Sequence, residues 1–394
     1  MIYERKIYEK IKDRINDKEI IVLTGMRRTG KTTIFKMIFD SLNIKNKIFL
    51  DMENPLHQKI FEETNYDNIL FNFEDYGINK NEKVYVFIDE IQLKPEIVKI
   101  AKYLLDHFET KFSLTGSSSF YLKNLFPESL SGRKVIFELY PLDFEEFLIF
   151  KEKKKVFFDK LNEKDQKKNY ISYENLRGLY NEYLHYGGFP QVVLEKDKEK
   201  KKEKLTDIFN SYFEKEVKGL SDFKKIAEFR DLLLLLVRRT GTKLDINKLS
   251  SEIKVSRETV YSFLNFLEKT FFIKLISPIS NSIDREITGT KKVYICDNGI
   301  LNNLGHTELG ILFENSIFNN LIKYGEVKYY ERRTGGEIDF ILKDKRISLE
   351  VKNKGTLNDY FKLKRISDDL KIKEHYVITN EFVKERGFII GCDV

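Results

Sequence analysis

The stretch from Ile20 to Thr33, IIVLTGMRRTGKTT, restricts the fold of this chain more than any other. Ile20 to Thr24 have the residue types of a buried strand and run straight into Gly25-x-x-x-x-Gly30-Lys31-Thr32. A strand, a glycine-rich loop and then a helix is the order of a phosphate-binding loop. Gly25 and Gly30 let the backbone take φ values that a side chain forbids, so successive N–H groups can turn inward on an anion. Lys31 brings a point charge to the β- and γ-phosphates, and the Thr32 hydroxyl is a ligand for Mg²⁺. The helix that follows aims its N-terminus at the same anion. Gly25, Arg27, Arg28, Thr29, Gly30, Lys31, Thr32 and Thr33 are therefore the expected nucleotide contacts. Arg27 and Arg28 have two readings: they touch the nucleotide, or they pair with a nearby carboxylate.

The residues downstream supply the rest of a doubly wound sheet. Lys47 to Met52 reads as a second strand, closed by Asn54-Pro55. Lys83 to Ile88 is a run of the kind found in central parallel strands, and it ends in Asp89-Glu90. A helix over Pro95 to Phe108 precedes another strand, Lys111 to Thr115, which ends in Gly116-Ser117. Strands alternating with helices predict a right-handed, parallel α/β sheet. Ligands bind such sheets at the carboxyl ends of the strands, where Asp89, Glu90 and Ser117 stand.

These positions suit phosphoryl chemistry. A carboxylate at the tip of a buried strand is costly unless it has a partner, and Asp89 can hold Mg²⁺ opposite Thr32. Glu90 can polarise the attacking water as a general base. Ser117 is either a hydrogen-bond partner of the γ-phosphate or water, or part of an ordinary Gly-Ser turn. Arg133, a short segment later, either stabilises transition-state charge in its own or a neighbouring subunit, or is a surface arginine in an ion pair.

Composition narrows the classes. A chain of 394 residues is long enough for two to four units. With 41% apolar and 33% charged residues it reads as globular rather than disordered. Its longest apolar run, Leu232 to Val237, is far short of the ~20 residues of a membrane span, and the N-terminal residues have no apolar signal core. The two cysteines, Cys296 and Cys392, argue for a reducing compartment, so a cytoplasmic location with no membrane is expected. The five histidines are scattered without zinc spacing. A net charge of +7 permits nucleic-acid binding without requiring it.

A second set of chemical residues lies near the far end. Strands are predicted over Val327 to Arg332, Glu337 to Leu342 and Ile347 to Lys352, with a helix near Leu309 to Tyr324 in front. Period-two alternation puts Glu350 and Lys352 on one face, and a hairpin can bring Asp339 beside them. Glu314 on the helix can add a third carboxylate. Two or three carboxylates can hold Mg²⁺ while Lys352 orients a water. Between the two regions, Leu244 to Ile253 and Ser256 to Thr270 suggest a helix-turn-helix, with Phe271 to Ile276 as a wing strand and Ser256-Arg257-Glu258-Thr259 at the tip. The aromatic rows Tyr261, Phe263 and Phe266 look like packing. From Lys291 on there are 18 lysines and arginines against 16 acidic residues, which is no strong basic footprint for DNA.

GMRRTGKTT, VFIDEIQ, TGSSS, LSGR, YPLDFEEF and YGGFPQVV, in this order, resemble the archaeal-type ATPases of the AAA+ class, which have bacterial relatives too. The resemblance covers roughly residues 1–220. It implies ATP and Mg²⁺ as cofactors, Lys31 and Thr32 as Walker A, Asp89 and Glu90 as Walker B, and Ser117 as a sensor-1-like residue. Gly188 and Pro190 match a Gly-x-Pro element of the family's lid, near the adenine. VYICDNGILNNL, LFENSIFNNLI and RRTGGEIDFIL resemble the domain that commonly follows this ATPase, which is similar to the PD-(D/E)xK nuclease fold. Its positions are intact as Glu314, Asp339 and Glu350 for metal and Lys352 for catalysis. The expected architecture is α/β: a P-loop core over 1–140, a helical lid over 141–222, a winged-helix-like unit over 223–290 and a nuclease-like α/β domain over 291–394. Two functions follow. One is an ATPase that couples hydrolysis to DNA binding or processing. The other is an ATP-driven switch whose last domain binds a partner and cuts nothing. A homo-oligomer is compatible with both.

Overall fold

The computed structural model describes residues 3–117, 132–218, 225–280, 282–332 and 335–394. Ser118 and Ser119 of the TGSSS run and Leu130 and Ser131 of LSGR lie outside the described residues. The chain divides into two compact units: Met1–Tyr140 with Lys269–Phe271, and Pro141–Glu268 with Phe272–Val394.

The first unit is built on five parallel strands: β1 (Ile20–Thr24), β2 (Lys47–Asp51), β3 (Val84–Asp89), β4 (Thr110–Gly116) and β5 (Lys134–Glu138). Their order is β2-β3-β4-β1-β5. Every residue of β1, β3 and β4 is buried, as expected for central strands covered on both faces. Alternate residues serve opposite cores. Val22, Leu50, Val86, Ile88, Phe112 and Leu114 pack with Ile97, Ala101 and Leu104 of the helix Ile97–His107. Ile21, Leu23 and Phe87 pack with Ile34, Phe35 and Ile38 of the helix Lys31–Ser41, and with Ile11 of the helix Ile7–Lys12. The Phe87 ring meets Phe35 edge-on at 5.7 Å and Phe39 at 5.5 Å. The sheet order places β4 between β3 and β1, so the tips of all three strands adjoin. The first helix covers only Ile7–Lys12, and turns carry Ile15 into the core. Lys111 ties those turns down, its ammonium donating to the carbonyls of Arg14 at 3.1 Å and Asp17 at 2.8 Å.

The second unit begins with helices, among them Phe144–Phe150, opened by an Asp143–Glu146 capping box, Tyr170–Tyr186 and Lys198–Tyr212. The helices Ile226–Arg238, Ile246–Glu252 and Arg257–Lys269 follow, then an antiparallel pair of β6 (Ile273–Ile276) and β7 (Lys292–Ile295). A mixed five-stranded sheet closes the chain, with β8 (Val327–Glu331), β9 (Glu337–Leu342), β10 (Ile347–Lys352), β11 (Glu374–Thr379) and β12 (Phe388–Ile390) in the order β12-β11-β10-β9-β8. β8, β9 and β10 are antiparallel neighbours, while β10, β11 and β12 run parallel. The helix Leu357–Asp369 makes the crossover from β10 to β11. Ser277 to Ile279 lies along the outer edge of β8: the Tyr329 N–H donates to Ser277 O at 3.3 Å and the Ile279 N–H to Tyr329 O at 2.7 Å.

Contacts cross two of the expected boundaries. The break at 290 falls inside a β ladder, because Ile273 pairs with Ile295 and Ile276 with Lys292. The Gly187-Gly188 turn of the segment 141–222 is clasped by Asp297, beyond that segment's expected end. This carboxylate caps the helix Asn298–Gly305, accepting the N–H of Gly299 at 2.8 Å and of Ile300 at 3.1 Å, and it takes the Gly188 N–H at 2.7 Å. Gly187 has φ +70, and a Cβ there would sit 2.1 Å from Asp297 Oδ1. The glycines of YGGFP are thus demanded by close packing.

Candidate nucleotide site and a buried carboxylate cluster

β1 delivers the chain to Gly25, whose φ is +154. A Cβ at this position would lie 2.1 Å from the Leu139 carbonyl oxygen, so only glycine fits. Gly30, at φ +103, heads the helix Lys31–Ser41 without a side-chain cap. That leaves a helix N-terminus facing the loop, where an anion is favoured. Inside the loop the Lys31 ammonium donates to Gly25 O at 2.9 Å and Met26 O at 3.0 Å, and the Thr29 hydroxyl to Met26 O at 2.8 Å. Arg28, at φ +67, and Thr33 are exposed. Arg5 braces the loop from outside. It is buried, and its guanidinium donates to Thr29 O at 3.0 Å and Tyr140 O at 2.9 Å.

The strand tips converge on this loop. The Thr32 hydroxyl donates to Asp89 Oδ2 at 2.7 Å, while the Thr115 hydroxyl donates to Asp89 Oδ1 and accepts the Glu90 N–H at 3.2 Å. Asp89 is only 4% exposed. Glu90 leaves the strand direction at φ +55. Its Oε2 lies 3.6 Å from Arg27 Nη2 and also accepts from the Gln92 amide, which donates in turn to Ser117 Oγ at 3.2 Å. Thr32 and Asp89 present adjacent hard oxygen donors of the kind Mg²⁺ takes, and phosphate and water oxygens can complete an octahedron. The residues present therefore fit that ion.

The structure brings Thr32, Asp89, Glu90, Ser117, Lys31 and Arg27 to one end of the sheet. Thr115, Gln92 and Arg5 were missed. Thr115 and Gln92 sit inside the quoted motifs, but their roles depend on β4 lying next to β3. No local pattern marks Arg5.

Arg133 does not join the site in its own chain. β5 runs parallel to β1 with Ile20 opposite Lys134, so the residue before β5 lies at the amino edge of the sheet, opposite Asp89. There the Arg133 side chain is 43% exposed and pairs with Asp106 at 3.3 Å, which is the surface-arginine reading. Pro190 opens the short helix Pro190–Val193 in the second unit, and the turn before it is accounted for by Asp297. Packing inside the second unit accounts for the glycines of that motif.

In the second unit β9, β10 and the helix Leu309–Leu321 bring Glu314, Asp339, Glu350 and Lys352 into one electrostatic neighbourhood. Burial, then repulsion from Asp339, pushes Glu314 and Glu350 each up to about 7. Burial raises Asp339 as well, against the attraction of Lys352. Each carboxylate has its own local partner. Asp339 Oδ2 accepts the Val351 N–H at 2.8 Å, Glu350 Oε1 accepts from Lys352 at 2.7 Å, and Glu314 Oε1 accepts from the Tyr294 hydroxyl at 2.8 Å. Glu350 Oε2 is buried without a hydrogen-bond partner. Among the described residues no three His, Cys, Asp or Glu side chains are grouped so as to hold a metal ion. The carboxylates expected to hold a metal, Glu314, Asp339 and Glu350, turn oxygens to separate partners in this structure. Before the helix Arg257–Lys269, Ser256 accepts the Thr259 N–H at 3.1 Å, and Phe263 and Phe266 pack on Phe229. Tyr261 is exposed instead of packed. No helix among the described residues is long and apolar enough to cross a membrane.

Residues 17–148 match the family model described as an AAA domain. Residues 177–311 and 309–387 match two models described as domains of unknown function, DUF8612 and DUF4143. An uncharacterized protein of Haemophilus influenzae is 27% identical over 82% of this chain and 79% of its own length. Another, of Methanocaldococcus jannaschii, is 27% identical over 85% of this chain and 75% of its own. Among solved structures, the Walker-type ATPase of Pyrococcus abyssi covers 77% of this chain and 96% of its own with a TM-score of 0.50 at 14% identity, a likeness of fold. The matched model, the parallel sheet and the glycine loop make the first unit similar to an AAA-type P-loop ATPase domain.

Proposed function

We propose that the protein hydrolyses ATP with Mg²⁺ in its first unit and uses the cycle to control what its second unit binds. The observation that carries this reading is the Thr32 hydroxyl on Asp89 at 2.7 Å, with Glu90 next in the chain and turned into the same site. Lys31 exchanges its loop carbonyls for β- and γ-phosphate oxygens, and the loop N–H groups take the remaining charge. Thr32 and Asp89 would hold Mg²⁺, which would offset charge on the phosphates. Glu90 accepts a proton as water adds to the γ-phosphorus and the bond to the bridging oxygen breaks, leaving ADP and phosphate. Ser117 orients that water. Phosphate release by wild type, Lys31→Ala and Glu90→Gln tests this. Both variants should lose on the order of 10²-fold or more in rate, and Glu90→Gln should still bind ATP. Wild-type turnover in Lys31→Ala would refute the site.

A second reading concerns the cluster at Glu314, Asp339, Glu350 and Lys352. Buried carboxylates that repel one another are costly, and such costs gather at functional sites. Cleavage of a phosphodiester by this cluster, with DNA met at the helix-turn-helix tip, is the activity that would use it. The missing metal grouping weighs against it. A supercoiled-plasmid assay with Mg²⁺ or Mn²⁺, with and without ATP, separates the two. Nicking that disappears in Lys352→Ala supports a nuclease. No cutting of any DNA form supports a switch whose second unit only binds a partner.

A further inference from the structure

We infer that Arg27 is a positioning residue for Glu90, holding its carboxylate until the γ-phosphate of ATP draws the guanidinium away. The inference rests on the hydrolytic reading of the first unit. Arg27 projects from the loop that cradles phosphates, yet its Nη2 faces Glu90 Oε2 at 3.6 Å. Both side chains are 14% exposed, so water screens the pair far less than a surface ion pair. Glu90 is also held from its other sides. Its N–H is bonded to Thr115 Oγ1, and its carboxylate accepts from Gln92, which is anchored on Ser117. A non-glycine residue at φ +55 persists only where its surroundings over-determine it, and these contacts do so.

The chemistry of the pair sets a direction. A carboxylate oxygen that already faces a guanidinium and an amide is engaged by them rather than turned to an attacking water. The terminal phosphoryl group of ATP carries more negative charge than a carboxylate and offers three equivalent oxygens, which suit the planar guanidinium. ADP has no such group. Arg27 therefore reads the γ-phosphate. With ATP it moves to the phosphoryl oxygens and Glu90 is released toward the water; with ADP the pair stays closed. The cation at the reacting phosphate is then supplied in cis by the loop, a role that Arg133, at the far edge of the sheet, does not fill.

The test compares binding of ADP and ATPγS by wild type, Arg27→Ala and Arg27→Lys, with phosphate release measured alongside. Arg27→Ala should weaken ATPγS about tenfold or more and leave ADP within about twofold, which also shows that the loop is folded. Turnover should fall at saturating ATP, and Arg27→Lys should recover most of the preference for ATPγS. Equal weakening of both nucleotides would make Arg27 a structural part of the loop and overturn the inference, as would no change in either. Failure of wild type to release phosphate would refute the hydrolytic reading instead, and the ratio of affinities is measured independently of it.

Discussion

Asp297→Ala should destabilise the second unit by about 2–4 kcal/mol at neutral pH. The figure comes from what the carboxylate holds. It caps the helix Asn298–Gly305 through Gly299 and Ile300, and loss of a cap costs about 1 kcal/mol. It also satisfies the Gly188 N–H at 2.7 Å in a buried setting, and a buried donor left without a partner costs about 1–3 kcal/mol. Asp245→Ala is the matched control. Asp245 caps the helix Ile246–Glu252 by accepting the Lys248 N–H at 3.0 Å at an exposed position, so only the cap term applies. Urea unfolding followed by helical circular dichroism reads the difference, since the chain has no tryptophan. For a slope of about 2–3 kcal/mol/M, Asp297→Ala should shift the midpoint by about 1 M or more, and Asp245→Ala by less than half of that. Equal shifts would mean that the Gly188 clasp contributes nothing, and the packing account of the YGGFP run would fail with it.

Further outcomes follow from the same geometry. Burial raises Asp297 to about 6 from an ordinary value near 3.8, so the folded state binds this proton more tightly than the unfolded chain. The proton-linked part of its contribution is full below about pH 4 and is lost as pH rises through about 6, while the hydrogen bonds it accepts remain. The difference in Tm between wild type and Asp297→Asn should therefore change between pH 4 and pH 7.5, in favour of wild type at the acid end; a flat difference would contradict this. Gly25→Ala places a Cβ 2.1 Å from Leu139 O and should abolish ATP binding as measured by calorimetry; near-normal affinity would contradict the close approach. Arg133→Ala should leave turnover within about twofold, because its side chain lies at the opposite edge of the sheet from Asp89; a loss greater than about tenfold would show that it serves another copy of the chain.

The parts of the fold that could be read in the sequence are those whose cause is local. β1, β3 and β4 are continuous apolar runs because helices cover both faces, and the loop motif carries its own geometry. That is why Lys31, Thr32, Asp89, Glu90 and Ser117 meet at one end of the sheet. β5 was not legible: Lys134–Glu138 is half-exposed and charged at both ends, and only its ladder to β1 makes it a strand. The pairing of β6 with β7 joins segments whose periodicity gives no sign of one another, so a boundary was drawn through it. The roles of Arg5, Thr115 and Gln92 arise from tertiary neighbours. The four polar residues near the end of the chain do share a neighbourhood, but the hydrogen bonds that turn Glu314 to Tyr294 and Glu350 to Lys352 leave no mark in their spacing.

The strap from Ser277 to Ile279 bears on how the second unit meets other chains. An open sheet edge is a template on which a foreign strand can pair, productively or in aggregates. Along β8 the bonds of Tyr329 are already taken by Ser277 and Ile279, the residue between them is a proline with no N–H to offer, and Lys328 donates to Ser277 Oγ at 2.8 Å. At the other margin β12 is short, Phe388–Ile390, and Lys168 occupies the Phe388 carbonyl at 2.8 Å. Strand addition is thus hindered at Tyr329 on one margin of this sheet and at Phe388 on the other, which favours recognition by side chains on its faces and helices.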